Sequence, residues 1–150
     1  MRRHFTAIAP LATLAGSWGI MGLLADEPKS AEHHHATAEM DACMKACARC
    51  AKECESCFTH CTNLVAEGKK EHLRTLRTCN DCGDMCAMAG KLVARGGPFM
   101  NAMCEACAKA CDGCGAECAK SPHDEHMTRC ADACKDCAKA CREMVKANAG

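Results

Sequence analysis

Cysteine recurs along this chain at the spacing of the α-helical turn. The stretch from Cys43 to Cys61, CMKACARCAKECESCFTHC, holds six cysteines whose separations are four, three, four, three and four residues. Apolar residues at this period normally form the inward face of an amphipathic helix. The chain has 18 cysteines in 150 residues, and all of them fall in runs with gaps of three or four. The sequence therefore predicts helices whose buried faces are lined with thiols.

Four such runs predict four helices joined by short connections. The expected bounds are about Thr37 to Val65, ending near Gly68; about Lys70 to Arg95, ending at the Gly96–Pro98 stretch; Pro98 to about Lys120; and a fourth helix to about Ala147 that opens with Ser121 as N-cap, Pro122 in the first turn and Asp124 as a capping-box acid. No segment alternates with period two, so no strand is expected. Short connections make neighbouring helices antiparallel. The predicted fold is all-α, an antiparallel up-down-up-down four-helix bundle with a cysteine-lined core.

The inward seam consists mainly of cysteine. Its thiols are Cys43, Cys47, Cys50, Cys54, Cys57 and Cys61 on the first helix, Cys79, Cys82 and Cys86 on the second, Cys104, Cys107, Cys111, Cys114 and Cys118 on the third, and Cys130, Cys134, Cys137 and Cys141 on the fourth. Continued as heptads, the seam also takes in Met40, Leu64, His72, Ala89, Val93, Met100, His123, Met127 and Met144. The predicted core is therefore narrow and rich in sulfur.

Packing alone, disulfides, zinc and iron–sulfur clusters account poorly for this pattern. Ala or Leu would fill a core without the risk of oxidation. Packed helix axes lie about 8–10 Å apart, whereas a disulfide usually needs Cα atoms within about 7 Å. Zinc takes compact tetrahedral sites, and iron–sulfur clusters need loops that wrap them. The cysteines of this chain instead lie inside helices.

Soft monovalent ions account for the pattern best. Thiolates select Cu(I), and cysteines three or four residues apart on one helix could hold such an ion between them. A buried bare thiolate is costly, but one monovalent ion per thiolate leaves the core neutral. A divalent ion on four thiolates would leave two negative charges at every site. We therefore expect multiple Cu(I) ions, up to about one per cysteine, in a bundle that also folds without metal because its thiols are then protonated.

The first 38 residues are interpreted as an export signal and a linker. Arg2 and Arg3 precede a mildly apolar run from Phe5 to Ala25, which resembles a twin-arginine signal. Cleavage is expected after Ala25 or after Ala38, giving a periplasmic or otherwise extracytoplasmic protein with no membrane contact once the signal is removed. Residues 26–38, DEPKSAEHHHATA, are interpreted as a solvated linker, in preference to a metal-capturing histidine run. Residues 39–150 are assigned to the metal-binding bundle.

The cysteine rows on four short-looped helices behind an export signal resemble the bacterial copper storage proteins. The resemblance covers about Thr37 to Ala147. It implies a four-helix bundle, often a tetramer, whose core holds Cu(I) mainly between pairs of cysteines, with all eighteen cysteines as ligands. For exported members it implies storage of copper for copper enzymes, with those enzymes or copper chaperones as partners. The second helix departs from the pattern, because Ala89 and Val93 follow its thiols, and fewer ions are expected beside them.

Antiparallel helices sort the remaining soft side chains to opposite ends of the bundle. Met40, Met44, Met100, Met103 and Met144, with Met88 nearby, are expected at one end, and His60, His72, His123 and His126, with Met127, at the other. The candidate accessory ligands are Met40, Met100, Met144, His60 and His72. Thioethers pass Cu(I) without a proton step, whereas imidazole competes with protons near pH 6–7. The methionine end is the hypothesised copper port, although methionines that merely plug the bundle remain an alternative.

The expected function is Cu(I) storage without catalysis. The sequence offers no nucleophile, base and orienting residue in combination, and its formal charge of zero gives no footprint for nucleic acid. Two alternatives stay open: a detoxifying sponge for soft metals in general, and a thiol–disulfide oxidoreductase. An oxidoreductase would need one reactive, partly exposed CxxC at a helix start. Storage for later use and sequestration for safety also remain open.

Overall fold

A computed structural model describes residues 37–149 as four α-helices. They are α1 (Ala38–Ala66), α2 (Leu73–Ala94), α3 (Met100–Cys118) and α4 (Glu125–Ala147), and a 3-10 turn at Lys70–His72 precedes α2. This part of the chain contains no β-strand. The predicted all-α fold is confirmed. The predicted export signal and most of the linker lie outside the described residues.

The helices form a four-membered ring around a shared core. α1 packs against α2 and α4, and α3 packs against the same two helices, so α1 and α3 face each other across a diagonal. Contacts of α1 with α4 run from Cys43 beside Cys141 to Cys54 beside Cys130, which makes these neighbours antiparallel. The bundle therefore has the predicted up-down-up-down topology. None of the helices within residues 37–149 is long and apolar enough to cross a lipid bilayer.

The ends of α1 follow ordinary helix-capping chemistry. Thr37 has an extended backbone, and its Oγ1 accepts a hydrogen bond of 3.2 Å from the amide of Met40. At the other end the chain turns at Gly68, whose φ of +91° is a conformation that side chains disfavour. The predicted first helix is confirmed to within a residue at each end.

The predicted start of the fourth helix is wrong. Asp124, rather than Ser121, is the N-cap, and its Oδ1 accepts from the amide of Met127 at 3.1 Å. Ser121 and Pro122 lie in a preceding turn, closed where the amide of Asp124 donates to the Ser121 carbonyl. The carboxylate of Asp124 also accepts from His60 on α1, which favours a helix beginning at that point. The turn leaves His123 exposed, so its predicted place on the seam is wrong as well.

The core contains the predicted seam in the predicted phase. Ala89, Val93, Met127 and Met144 are buried together with the cysteines. Met40 and Leu64 are partly buried at the ends of α1, where the seam meets solvent. Lys, Arg and most carboxylates lie on the outer faces. The hydrophobic pattern thus places one column of sulfur along the bundle axis.

Candidate metal centre

Every cysteine of the chain lies in the bundle core. All eighteen are free thiols, and each is at most 1% exposed. Burial this complete holds the sulfur atoms away from water and external oxidants. The predicted inward direction of the thiols is confirmed.

Thiols on diagonally opposed helices meet at the bundle axis in a seven-residue register. Between α1 and α3 the Sγ atoms of Cys43 and Cys104, Cys50 and Cys111, and Cys57 and Cys118 lie 3.9 Å apart in each pair. Between α2 and α4 the corresponding pairs are Cys79 with Cys130 at 4.0 Å and Cys86 with Cys137 at 3.8 Å. Diagonal helices run parallel, so a heptad step on one matches a heptad step on the other. The thiols therefore span the full width of the core.

Thiols on adjacent helices fill the intervals between these diagonal pairs. Along α1 and α4 the Sγ pairs are Cys43–Cys141, Cys47–Cys137 and Cys50–Cys134 at 3.7 Å, and Cys54–Cys130 at 3.8 Å. Along α2 and α3 they are Cys79–Cys114 and Cys86–Cys107 at 3.6 Å, and Cys82–Cys111 at 3.7 Å. The residue numbers fall on one helix as they rise on the other, as antiparallel packing requires. The result is a continuous column of contacting sulfur atoms.

Close contacts within one helix join cysteines four residues apart, not the CxxC pairs. The Sγ atoms of Cys43 and Cys47, Cys50 and Cys54, and Cys82 and Cys86 lie 4.0 Å apart in each pair. With 3.6 residues per turn, side chains four apart diverge by about 40° around the helix, and those three apart by about 60°. Within one helix, therefore, the close sulfur contacts of the metal-free bundle join cysteines four residues apart. Most contacts cross between helices.

Sets of four thiols drawn from three or four helices recur along the column. The Sγ atoms within each set lie within 4.8 Å of one another; examples are Cys47, Cys107, Cys137 and Cys141, then Cys50, Cys82, Cys86 and Cys111, then Cys54, Cys114, Cys130 and Cys134, then Cys57, Cys79, Cys118 and Cys130. With a metal–sulfur bond of about 2.3 Å, as for zinc, two sulfurs on opposite sides of an ion lie about 4.6 Å apart, and three around it about 4.0 Å. Small side-chain shifts suffice for either geometry.

Burial acts to raise the pKa of the core thiols, whereas hydrogen bonds between neighbouring thiols raise the pKa of some and lower that of others; a hydrogen bond with Cys111 lowers the pKa of Cys82 to about 6. Burial, followed by the neighbouring Cys57, raises the pKa of Cys61 to about 12. Hydrogen bonds with Cys111, Cys114 and Cys130 raise the pKa of Cys134 above its ordinary value. Neutral thiols let the metal-free bundle pack without buried charge. A metal that binds them as thiolates must displace their protons.

Two glycines allow the helices to approach closely enough for the sulfurs to meet. A Cβ atom at Gly115 of α3 would lie 3.3 Å from the Cβ of Cys134 on α4. One at Gly83 of α2 would lie 3.4 Å from the Cβ of Cys54 on α1. A larger residue at either position would push one cysteine-bearing helix away from its neighbour. Sequence reasoning missed this role, although both glycines lie one residue from a core cysteine.

The methionine end of the bundle is closed by Met40, Met100 and Met144. Met144 is 1% exposed, Met100 is 8% exposed and Met40 is partly buried. Met40 and Met144 line a small cavity of about 90 Å³ at this end. Met40 and Met100 lie one turn before Cys43 and Cys104 in the chain, and Met144 lies one turn after Cys141. The structure thus brings the three predicted accessory methionines to one end.

The histidine end carries a polar cluster on the α1–α4 face. His60 Nε2 lies 2.6 Å from Asp124 Oδ2, and its ring stacks on His126 with centroids 4.5 Å apart. Burial acts to raise the pKa of Asp124, but hydrogen bonds from His60 and the Met127 amide outweigh it, so the pKa lies below its ordinary value. One ring nitrogen of His60 is therefore already engaged.

His72, another predicted accessory ligand, lies apart from this cluster. It is partly buried in the 3-10 turn before α2, with Nε2 4.0 Å from Glu71 Oε1. His60 and His126 were predicted at the same end of the bundle, and the structure places them there, but their stacking was not predicted. Buried Glu117 was missed too; it accepts from Arg74 at 2.9 Å and Lys120 at 2.7 Å, which stabilises its charge next to Cys118.

Known proteins are similar to this chain in sequence and in fold. Residues 36–146 match a family model described as copper storage protein. The uncharacterized cysteine-rich protein YhjQ of Bacillus subtilis is 43% identical over 106 residues, which are 70% of this chain and 94% of that protein. The structure of Cu(I)-bound copper storage protein BsCsp3 is similar with a TM-score of 0.65 and 39% identity, covering 71% of this chain and 98% of that one. A cytosolic copper storage protein from Streptomyces lividans, solved with five coppers, gives a TM-score of 0.66 at 32% identity over 72% of this chain and 92% of its own.

Proposed function

This chain belongs to the copper storage protein family, and from that premise we propose that its bundle holds many Cu(I) ions on the eighteen core cysteines. The observation that carries the proposal is the unbroken column of buried, contacting thiols. A column in which each sulfur has several others within reach offers many ligand sets rather than one site. That arrangement suits accumulation of a metal better than a single reaction.

Charge supports a monovalent occupant. Thiolates are soft ligands and prefer Cu(I) to hard ions. Each bound ion replaces thiol protons, so a column loaded with about one Cu(I) per thiolate is electrically neutral. Divalent ions on four thiolates each would accumulate two negative charges per site in a core closed to water. We therefore propose Cu(I) as the stored ion, with a capacity set by the number of thiols.

The burial of the thiols is more consistent with metal storage than with disulfide exchange. An oxidoreductase needs a thiolate of lowered pKa that a substrate can reach. Every cysteine here is at most 1% exposed, and the CxxC pairs lie in the middle of helices. Uptake of other soft ions such as Ag(I) uses the same ligands, so storage and general detoxification differ in selectivity rather than in architecture.

Competition between metals tests the proposal. The metal-free protein, reduced and kept anaerobic, is given equal excesses of Cu(I) and Zn(II), desalted and analysed for metal and thiol. We expect many copper ions per chain and little zinc. Comparable retention of zinc would contradict Cu(I) storage, and equal retention of Ag(I), Cd(II) and Cu(I) would favour the sponge. Turnover of a disulfide substrate would favour the oxidoreductase.

We also propose that the chain is exported and that its signal is cleaved after Ala25. The helix geometry argues against cleavage after Ala38, because that would remove the Thr37 side chain that caps α1. N-terminal sequencing of the protein from a periplasmic fraction tests this, and replacement of Arg2 and Arg3 by Lys should block a twin-arginine route. Protein found only in the cytoplasm with residues 1–38 intact would contradict export.

We further propose that the protein self-assembles and delivers its copper to other proteins. By resemblance to its family we propose a homotetramer that supplies copper enzymes directly or through a chaperone. Light scattering of the metal-free and loaded protein measures the oligomer. A monomer in both states at micromolar concentration would contradict assembly while leaving the storage proposal intact.

A further inference from the structure

Two grooves on the sides of the bundle each have one core cysteine in their lining. A groove of about 580 Å³ lies between α3 and α4, and its lining includes Cys111. A second, of about 300 Å³, lies between α1 and α2, and its lining includes Cys86. The Sγ atoms of Cys86 and Cys111 are 3.5 Å apart, which is shorter than any of the thiol contacts given above. A line from one groove to the other therefore passes through a single pair of thiols.

The α3–α4 groove exists because its walls carry small side chains. Gly115, Ala116 and Ala119 of α3 face Ala131 and Ala138 of α4 across it. Larger residues at the exposed Ala116 and Ala119 would fill this space. The groove is within the range of 300 to 1,000 Å³ that is typical of small-molecule sites. It is thus large enough for a small organic ligand to lie beside Cys111, which is 1% exposed, so that contact with its Sγ requires α3 and α4 to separate locally.

Cys111 connects this groove with the middle of the core. Its Sγ lies 3.9 Å from that of Cys50, 3.7 Å from that of Cys82 and 3.5 Å from that of Cys86. These four residues form one of the candidate metal-binding sets. An ion handed to Cys111 would reach a set of thiols halfway along the column without passing the residues at either end.

The charged side chains that line the groove favour an anionic ligand. Its lining has three cationic side chains, Lys135, Lys139 and Arg142, against the carboxylates of Asp112 and Asp132. Arg142 pairs with Asp112, which leaves two lysines one helical turn apart on α4 and a single carboxylate. Glu143, which is not in the lining, approaches Lys139 at 3.9 Å, but both side chains are mostly exposed and the pair is weak. The lining carries a net positive charge on a chain whose formal charge is zero.

We propose, on the basis of the proposed storage function, that the α3–α4 groove admits Cu(I) carried by a small anionic thiol and passes it to Cys111. The transfer is a ligand exchange without oxidation. Cys111 bonds to the ion, one carrier thiolate leaves, and the Cys111 proton protonates it. Cys86 then replaces the second carrier thiolate in the same way, so a bis(thiolate)–Cu(I) complex and two protein thiols give a bis(cysteinyl)–Cu(I) unit and two carrier thiols. Proton, charge and metal balance at each step.

Loading kinetics of the full chain test the proposal, with Cu(I)–glutathione as the anionic probe and Cu(I)–acetonitrile as a carrier without negative charge. K135E/K139E reverses both rim lysines at exposed positions and leaves the core unaltered. We expect this variant to load about tenfold more slowly from Cu(I)–glutathione at low salt, with the difference shrinking at high salt. Loading from the cationic Cu(I)–acetonitrile should not slow, and the final capacity should not change. K109E, which reverses an exposed lysine of α3 that does not line the groove, is the matched control.

A steric variant makes the test independent of charge. A116W places a large ring at an exposed position of the groove wall and should slow loading from Cu(I)–glutathione by a similar factor. If both K135E/K139E and A116W load from Cu(I)–glutathione at the wild-type rate, the lateral route is overturned. Full copper capacity in the same variants would still support storage. A116W that dissociates an oligomer without slowing loading would also overturn it and assign the groove to self-association. A wild-type chain that binds only one or two ions would instead overturn the storage function itself.

Discussion

His60 Nε2 and Asp124 Oδ2 lie 2.6 Å apart and join the last turns of α1 to the first turn of α4. The same carboxylate caps α4 through the amide of Met127. One side chain thereby closes a helix end and connects two helices that are far apart in sequence. This link lies at the end of the column next to Cys61, where the seam leaves the core.

Replacement of Asp124 should weaken the bundle in a pH-dependent way. D124A removes the cap and the His60 contact, and we expect the free energy of unfolding at pH 7 to fall by about 1–2 kcal/mol. Because the pKa of Asp124 is lowered in the folded state, its stabilisation is present above the ordinary value near 3.8 and is lost as pH falls through the folded pKa. Urea denaturation of the metal-free protein at several pH values measures both effects.

D124N is the control for this prediction, because an amide can still cap the helix but cannot ionise. Its deficit relative to wild type should shrink below pH 3.8. A deficit that stayed constant from pH 7 to pH 3 would show that the charge of Asp124 contributes nothing.

Two glycines two residues apart on α3 should respond in opposite directions to alanine. A Cβ at Gly115 would lie 3.3 Å from the Cβ of Cys134, so G115A should push α3 from α4 and destabilise the metal-free bundle by about 1–3 kcal/mol. A Cβ at Gly113 meets no atom within 4 Å, so G113A should stabilise by up to about 1 kcal/mol. Thermal and chemical denaturation of G115A and G113A measure the change in the free energy of unfolding of each variant. Equal effects would refute the close approach inferred at Gly115.

Thiols added to the sparse end of α2 should add copper capacity. Ala89 and Val93 are fully buried on the same seam as the cysteines of α2. A89C/V93C should therefore increase the number of tightly held Cu(I) ions by up to about one per added thiol. A87C places a thiol at an exposed position of the same helix and should add no ion that survives competition with a chelator. An equal gain of tightly held Cu(I) in A89C/V93C and A87C would show that burial in the column does not determine copper binding.

Loss of the end methionines should slow copper uptake without reducing capacity. M40L/M100L/M144L keeps the apolar plug but removes three thioethers from the end of the column. We expect slower loading from Cu(I)–acetonitrile and an unchanged final ratio of copper to protein. M88L changes a methionine near the same end that is 44% exposed, and should load normally. Unchanged rates in the triple variant would leave these methionines a packing role alone.

Much of the bundle could be predicted because one residue type marks the inward face of every helix. The run from Cys43 to Cys61 gives helix, phase and burial together, since only a helical period of 3.6 brings those positions to one side. The three short connections then leave little choice of topology. The resemblance to copper storage proteins rests on the same four rows of cysteines.

The contacts between helices could not be predicted from that pattern. Periodicity treats residues three and four apart alike, whereas the close sulfur pairs within a helix are all four apart, as in Cys50 and Cys54. The depth at which helices approach depends on Gly83 and Gly115, and the start of α4 depends on a carboxylate that His60 holds from another helix. These features arise from tertiary packing, which local spacing does not encode.

The stoichiometry of tightly bound Cu(I) tests the central claim most directly. The reduced protein is titrated with Cu(I) under anaerobic conditions against a chromophoric chelator, and the chain is quantified by thiol assay, because residues 26–150 contain neither Trp nor Tyr. A column of buried thiols predicts that copper is withheld from the chelator up to a ratio approaching about one ion per cysteine, with release of the displaced protons. Saturation at one or two ions per chain would contradict the account.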